Sequence, residues 1–250
     1  MHKIEKRATV EKEKFVQVGS IKLYTKMFGK KNNFPTIVMD AGYGDYSKAW
    51  DSLIHEVARI SQVLVFDRAG LGKSEKSQNA RISSVMIKEM DELLTGMGIE
   101  PPYILVGHSF GGVNARMYAT EFTDKVVGLI LVDSTPEEYK ERFLPTMPIE
   151  FQEAYTKQFT LEGTFDEFKE SLVELKQTRS QLNIPLIVLS AGKKDHYTQN
   201  SQELWNEMQK ELLEISTKSE FMIAKNSAHY IQNDEPGIIL DAIKRLNKLI

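Results

Sequence analysis

Cysteine is absent from all 250 positions. Disulfides, thiolate catalysis and cysteine-ligated zinc are therefore excluded. No charge of one sign dominates: 32 Lys and Arg face 35 Asp and Glu, a formal net charge of −3. Without a basic excess there is no electrostatic footprint for DNA or RNA, and no nucleic-acid partner is expected. Long apolar runs are missing too. Val126 to Val132 is among the longest. It has the length of a strand, far short of the ~20 residues of a membrane-crossing helix, so no membrane partner is expected. Met1 to Glu13 lack the apolar core of a secretory signal. Lys3 to Lys14 alternate with Glu5, Glu11 and Glu13 and read as a solvated arm rather than a lipid tether. The expected location is cytoplasmic. No His-Glu-x-x-His or carboxylate cluster is present, so no catalytic metal is expected.

What is present has the proportions of an ordinary globular protein, 41% hydrophobic and 27% charged. Short apolar runs alternate with longer amphipathic stretches, the pattern of an α/β fold. Phe15 to Val18 and Ile21 to Phe28 read as a hairpin turned at Gly19-Ser20. Compact runs follow at Thr36 to Met39, Val63 to Phe66, Tyr103 to Val106, Leu129 to Val132, Leu186 to Leu189 and Phe221 to Ala224. Such continuous runs suit parallel strands buried on both faces. Met86, Met90, Leu93 and Met97 recur at helical spacing, as do Ile239, Ile243 and Leu246. The methionine row reads as core packing rather than a cofactor box.

One interval breaks the rhythm. Between Val132 and Leu186 no strand signal occurs, Pro136, Pro145 and Pro148 punctuate the first part, and Phe165, Phe168, Leu172 and Leu175 mark a helix. An excursion of that length needs structure of its own. It reads as a small helical cap over residues 134–184, inserted in a core of residues 1–133 and 185–250.

The sharpest chemical signal is Gly107-His108-Ser109-Phe110-Gly111. It lies directly after a strand and before a stretch rich in small residues, the context a G-x-S-x-G nucleophile elbow requires. Ser109 is the candidate nucleophile, and a serine at its ordinary pKa needs a base. Of five histidines, His2 lies in the arm, His55 in a helix that precedes the nucleophile strand, and His108 beneath the turn. His229 follows the last strand, in Asn226-Ser227-Ala228-His229, and satisfies the chain order Ser, acid, His. It is chosen over His196, which reads as a rim residue. Two carboxylates could orient the imidazole: Asp195, in the loop after Leu186 to Leu189, and Asp133, at the end of Leu129 to Val132. Asp195 is favoured and Asp133 is the alternative acid; if Asp133 is not the acid, it reads as a hinge or loop hydrogen-bonding residue. The oxyanion donors are assigned to the backbone N–H of Phe110 and, from Asp40-Ala41-Gly42-Tyr43-Gly44, that of Tyr43. Gly70-Leu71-Gly72-Lys73-Ser74 ends like a P-loop but has Asp67 where that loop needs its first glycine, so it reads as a turn.

With Gly42-Tyr43-Gly44, the Asp67 to Ser74 turn, the elbow, Asp195 and His229 in order, the chain from about Phe15 to Ile250 resembles the α/β-hydrolase superfamily. The resemblance implies an α/β fold: an eight-stranded, mostly parallel sheet with helices on both faces and a small cap. It also implies cofactor-free hydrolysis of a small-molecule substrate. Two positions depart from the family's usual pattern, Ala41 where histidine is common and Ala228 where glycine is common. Haloalkane dehalogenases and epoxide hydrolases carry aspartate at the elbow, and Ser109 argues against both. The leading expectation is an esterase acting on a small, apolar carboxylic ester, with Phe143, Phe151 and Phe159 of the aromatic insertion binding it. Amides, lactones, thioesters and carbon–carbon substrates use the same triad. A ligand sensor on the same scaffold is the reading outside enzymology.

Overall fold

A computed structural model describes residues 10–178 and 180–250. The expected solvated arm over Lys3 to Lys14 lies outside the described residues as far as residue 9, as does His2. From Val10 onward the chain is already strand, so the hairpin begins five residues earlier than its apolar pattern suggested. Strands β1 (Val10–Val18) and β2 (Ile21–Phe28) pair antiparallel around Gly19, whose φ of 50° is the left-handed turn conformation open to glycine. The remaining strands are β3 (Thr36–Asp40), β4 (Val63–Phe66), β5 (Tyr103–His108), β6 (Val126–Val132), β7 (Leu182–Ala191) and β8 (Ser216–Ala224). They form one eight-stranded sheet of order β1-β2-β4-β3-β5-β6-β7-β8, in which only the β1–β2 and β2–β4 pairs are antiparallel.

The helices are α1 (Ile54–Val57), α2 (Ser83–Met97), α3 (Phe110–Glu121), α4 (Ile149–Lys157), α5 (Phe165–Thr178), α6 (Gln199–Glu211), α7 (Ile231–Asp234) and α8 (Pro236–Leu246). Period-two alternation along the strands sorts the core into two layers. Leu64, Leu105, Leu129, Leu131 and Val188 pack on one face against Met86, Met90 and Leu93 of α2, Val113 and Met117 of α3, and Leu172 of α5. Ile37, Val63, Ile104, Val106, Ile130 and Ile187 point the other way, against Trp50, Ile54 and the Ile239, Ile243 and Leu246 face of α8. The methionines of α2 are thus core packing, and Gly98 ends that helix at φ 69°.

Between β6 and β7 the described residues form no strand. The first half of this interval holds a π-helical turn (Tyr139–Phe143), a 3-10 turn (Leu144–Thr146) with Pro145 in its first turn, and α4, which Pro148 precedes. Tyr139, Phe143, Leu144 and Met147 make a separate cluster there with Trp205 and Met208 of α6. Phe168, Leu172 and Leu175 of α5 instead join the main core. The two halves of the insertion therefore pack differently, one as an aromatic cluster of its own and one onto the body. β7 begins at Leu182, inside the range assigned to the insertion.

Candidate active site

The site forms at the C-terminal ends of β3, β5, β6, β7 and β8, where the loops of a parallel sheet converge. β5 runs into α3 through Ser109, whose φ of 51° and ψ of −115° strain the backbone at one residue. Flanking residues must be small for this turn to exist. A Cβ on Gly107 would come within 2.5 Å of the Gly111 carbonyl oxygen, and one on Gly111 within 2.3 Å of the Asp40 carbonyl oxygen. The elbow is thus wedged between β3 and α3, with Ser109 on the wall of a cavity of about 330 Å³. His229, Tyr230, Lys194, Asp195, His196 and Asp45 line the same cavity.

His229 lies in the loop after β8, its side chain 36% exposed. His108, the residue before Ser109, holds it there. The two rings are 4.7 Å apart, and His108 Nε2 lies 2.9 Å from the His229 carbonyl oxygen. That oxygen can only accept, so His108 carries its proton on Nε2. Its Nδ1 is then an acceptor and takes the Gln232 Nε2–H at 3.2 Å. Burial, with the neighbouring His229, pushes the His108 pKa down to about 3, so the ring is neutral at ordinary pH. His108 therefore does more than pack beneath the turn: it fixes the loop that carries His229.

The carboxylate that meets His229 is Asp133, with Oδ2 2.6 Å from Nδ1. Asp133 follows β6 directly, with φ 44°, and is 0% exposed. Its Oδ1 accepts from Ala191 N–H at 2.9 Å and Trp205 Nε1–H at 2.7 Å, and its Oδ2 also faces Lys194 Nζ at 2.6 Å. Burial alone would raise this carboxyl, but Lys194 and His229 outweigh it and hold it well below the usual range. The geometry thus brings the alternative, Asp133, to His229, and not the favoured Asp195. Asp195 is an exposed residue on the cavity rim, as is His196. The physical reason is position. Asp133 leaves its strand directly at the sheet edge, whereas Asp195 is carried outward by the loop that starts at Gly192.

Phe110 opens α3, so its N–H is among those without a carbonyl partner inside the helix. The Tyr43 segment is oriented by Arg68, in the turn after β4. This fully buried guanidinium places all five of its N–H donors. It bonds Ala41 O and Gly42 O at 2.7 Å each, Asp40 Oδ1 at 2.5 Å, and Glu162 at 2.6 and 2.7 Å. A trans peptide points its N–H opposite its C=O. Holding the Gly42 carbonyl therefore turns the Tyr43 N–H the other way. Gly44 N–H is already taken by Glu162 at 2.9 Å, which leaves it out of the donor set. Arg68 had no motif of its own in the sequence. Its turn was legible, closed by Asp67 on the Ser47 and Lys73 N–H groups. Arg68→Met would strand Asp40 and Glu162 in the interior. It is expected to cost about 3–5 kcal/mol of stability, read as a lower urea midpoint.

Phe151 and Phe159 line the cavity, together with Tyr139, Tyr155, Phe168 and Trp205. Phe143 does not. It is 0% exposed and packs between Tyr139, Tyr197 and Trp205. An apolar side chain in an insertion looks the same in sequence whether it faces a cavity or a core. Among the described residues no group of three or more His, Cys, Asp or Glu could hold a metal, and no helix is long and apolar enough to cross a membrane.

Comparison with known proteins agrees with this architecture. Residues 35–181 match the model of the alpha/beta hydrolase fold family. The Bacillus subtilis protein YqjL is 36% identical over 209 residues, 83% of this chain and 81% of its own. Among solved structures, Cfl2 of Burkholderia cenocepacia superposes with a TM-score of 0.71 at 16% identity, covering 94% of this chain and 95% of that one. The esterase EaEST of Exiguobacterium antarcticum superposes with a TM-score of 0.69 at 14% identity, covering 95% and 100%. From the family match, the relative and the topology together, the chain belongs to the α/β-hydrolase fold family.

Proposed function

We propose that this chain is a serine hydrolase that cleaves a small, largely apolar carboxylic ester through an acyl-enzyme intermediate. One observation carries the reading. A serine on a strained elbow and a histidine whose Nδ1 is held by a buried carboxylate open onto the same cavity. With Nδ1 engaged by Asp133, Nε2 is the ring nitrogen left to exchange protons.

In the proposed reaction Ser109 Oγ attacks the acyl carbon while His229 Nε2 takes its proton. Asp133 stabilises the imidazolium. The Phe110 and Tyr43 N–H groups hold the oxyanion, a contribution worth roughly 10²–10³ in turnover per donor. The carbon–oxygen bond to the leaving group then breaks, and His229 returns the proton to the departing alcohol. Water repeats the sequence and releases the acid, restoring the Ser109 hydroxyl. The fit to an apolar group rests on the cavity walls, supplied by Phe110, Tyr139, Phe151, Tyr155, Phe159 and Phe168. In this reading the insertion acts as a cap. Tyr43 donates its hydroxyl to Gly163 O at 2.6 Å and accepts from Leu161 N–H at 3.1 Å, a tie between the oxyanion loop and the cap.

The test is covalent. A fluorophosphonate probe followed by intact-mass analysis should add one label per chain, and peptide mapping should place it on Ser109. A label on any other residue would sink the assignment.

A further inference from the structure

The proposed acid carries a second cation that the reaction above does not use. Lys194 Nζ lies 2.6 Å from Asp133 Oδ2, the oxygen that also meets His229 Nδ1 at 2.6 Å. The Lys194 side chain is 8% exposed. Its ammonium stands 3.4 Å from the ring centroid of Trp205 and 5.0 Å from that of Tyr197. Its backbone is fixed as well, by donation from Lys194 N–H to Gln202 Oε1 on α6 at 3.1 Å. An ammonium is strongly hydrated, and burying one is costly unless a partner compensates. Here the partner is the carboxylate on which the imidazole depends.

We propose, on the footing of the serine-hydrolase reading, that Lys194 is a positioning residue that shares Asp133 Oδ2 with His229 and so sets the pH range in which the imidazole works as a base. The reason is electrostatic. While Lys194 is charged, the Asp133 charge is already balanced, and a proton on His229 leaves the three groups with a net positive charge. Without that ammonium, the same proton would only neutralise Asp133. Lys194 therefore opposes protonation of the ring and extends the active range toward acid. It also opposes the imidazolium of the transition state, so the rate should rise again when Lys194 loses its proton. Burial lowers the Lys194 pKa and Asp133 restores part of it, leaving about 8 against an ordinary 10.5.

The sign follows for each range. Below about 8 Lys194 is charged and shares Asp133 with His229. Above about 8, Asp133 serves the imidazolium alone. The other groups around the trio come from every neighbouring element. His108 at the end of β5 is neutral throughout. Tyr139 from the insertion and Tyr197 before α6 are pushed up by burial and stay neutral. Asp45, hydrogen-bonded to Tyr230, faces His229 from the loop after β3. Asp195 and His196 sit exposed on the rim.

The experiment measures the rate of Ser109 labelling by a fluorophosphonate probe against pH in the full chain, for wild type, Lys194→Met and Lys194→Arg. Wild type should rise twice, the upper step near 8. Lys194→Met should rise once, its midpoint about one to two pH units above the lower wild-type step. Lys194→Arg should keep the low first step and lose the second, because a guanidinium does not deprotonate in this range. Ser109 labelling with the Lys194→Met midpoint unmoved would overturn this inference alone. Absence of labelling at every pH would overturn the serine-hydrolase reading and this one with it. Should Lys194→Met fail to fold by circular dichroism, lysine side-chain NMR of the wild type decides. Lys194 should titrate well before the other lysines, and titration together with them would overturn the inference.

Discussion

Ser109→Ala is expected to abolish turnover of p-nitrophenyl esters, lowering kcat by about 10⁶-fold, while leaving the fold and ester binding in place. The substitution removes one oxygen from a residue that lines the cavity. The backbone bonds of the elbow survive: Ser109 N–H to Val132 O at 3.0 Å and Thr135 N–H to Ser109 O at 3.2 Å use main-chain atoms only. Steady-state kinetics beside a thermal melt separates the two effects. A variant that melts like wild type and still turns over at a comparable rate would remove serine from the chemistry. Tight ligand binding by wild type without turnover would make the chain a sensor rather than an enzyme.

The second large effect distinguishes two aspartates. Asp133→Asn should lower kcat by about 10³–10⁴-fold, because an amide facing Nδ1 no longer stabilises the imidazolium and favours the wrong tautomer. It should also weaken the fold at neutral pH, since Lys194 would be left buried without its counter-ion. Asp133 has a depressed pKa in the folded state. Its contribution to stability is therefore present at neutral pH and is lost as the solution is acidified through and below the ordinary carboxylate range. Asp195→Asn, at an exposed rim position, should leave the rate nearly unchanged. Kinetics of both variants on one ester decides the matter, and the reverse pattern would restore Asp195 as the acid.

The positions of the strands along the chain, and the candidates for nucleophile and base, could be read from residues alone, because each rests on a local rule. The Ser109 turn leaves no room for side chains at Gly107 and Gly111, and six of the eight strands contain compact apolar runs. The acid could not be read in the same way. Asp133 and Asp195 both follow central strands that lie side by side, β6 and β7, and apolar periodicity says nothing about the path of a loop beyond the sheet edge. Lys194 was hidden for a related reason. It is next to Asp195 in sequence, yet its ammonium reaches across to the neighbouring strand's aspartate. Arg68 was hidden because its partners, Asp40 and Glu162, lie 28 and 94 positions away. Phe143 was misplaced because hydrophobicity alone does not tell a cavity wall from the layer behind it.

The Arg68 clamp has a consequence for anyone who wishes to rebuild the substrate cavity. Glu162 belongs to the segment that a designer would exchange, whereas the carbonyls of Ala41 and Gly42 belong to the scaffold, and one guanidinium grips both. Asp133 stands at the very root of the same segment. A transplanted segment lacking a carboxylate at the equivalent of position 162 would leave Arg68 partly unsatisfied and loosen the loop that carries Tyr43. Under the proposed function, substrate choice and reaction machinery would not be separable modules, and a graft that retains the 162 carboxylate should succeed where a simple swap fails.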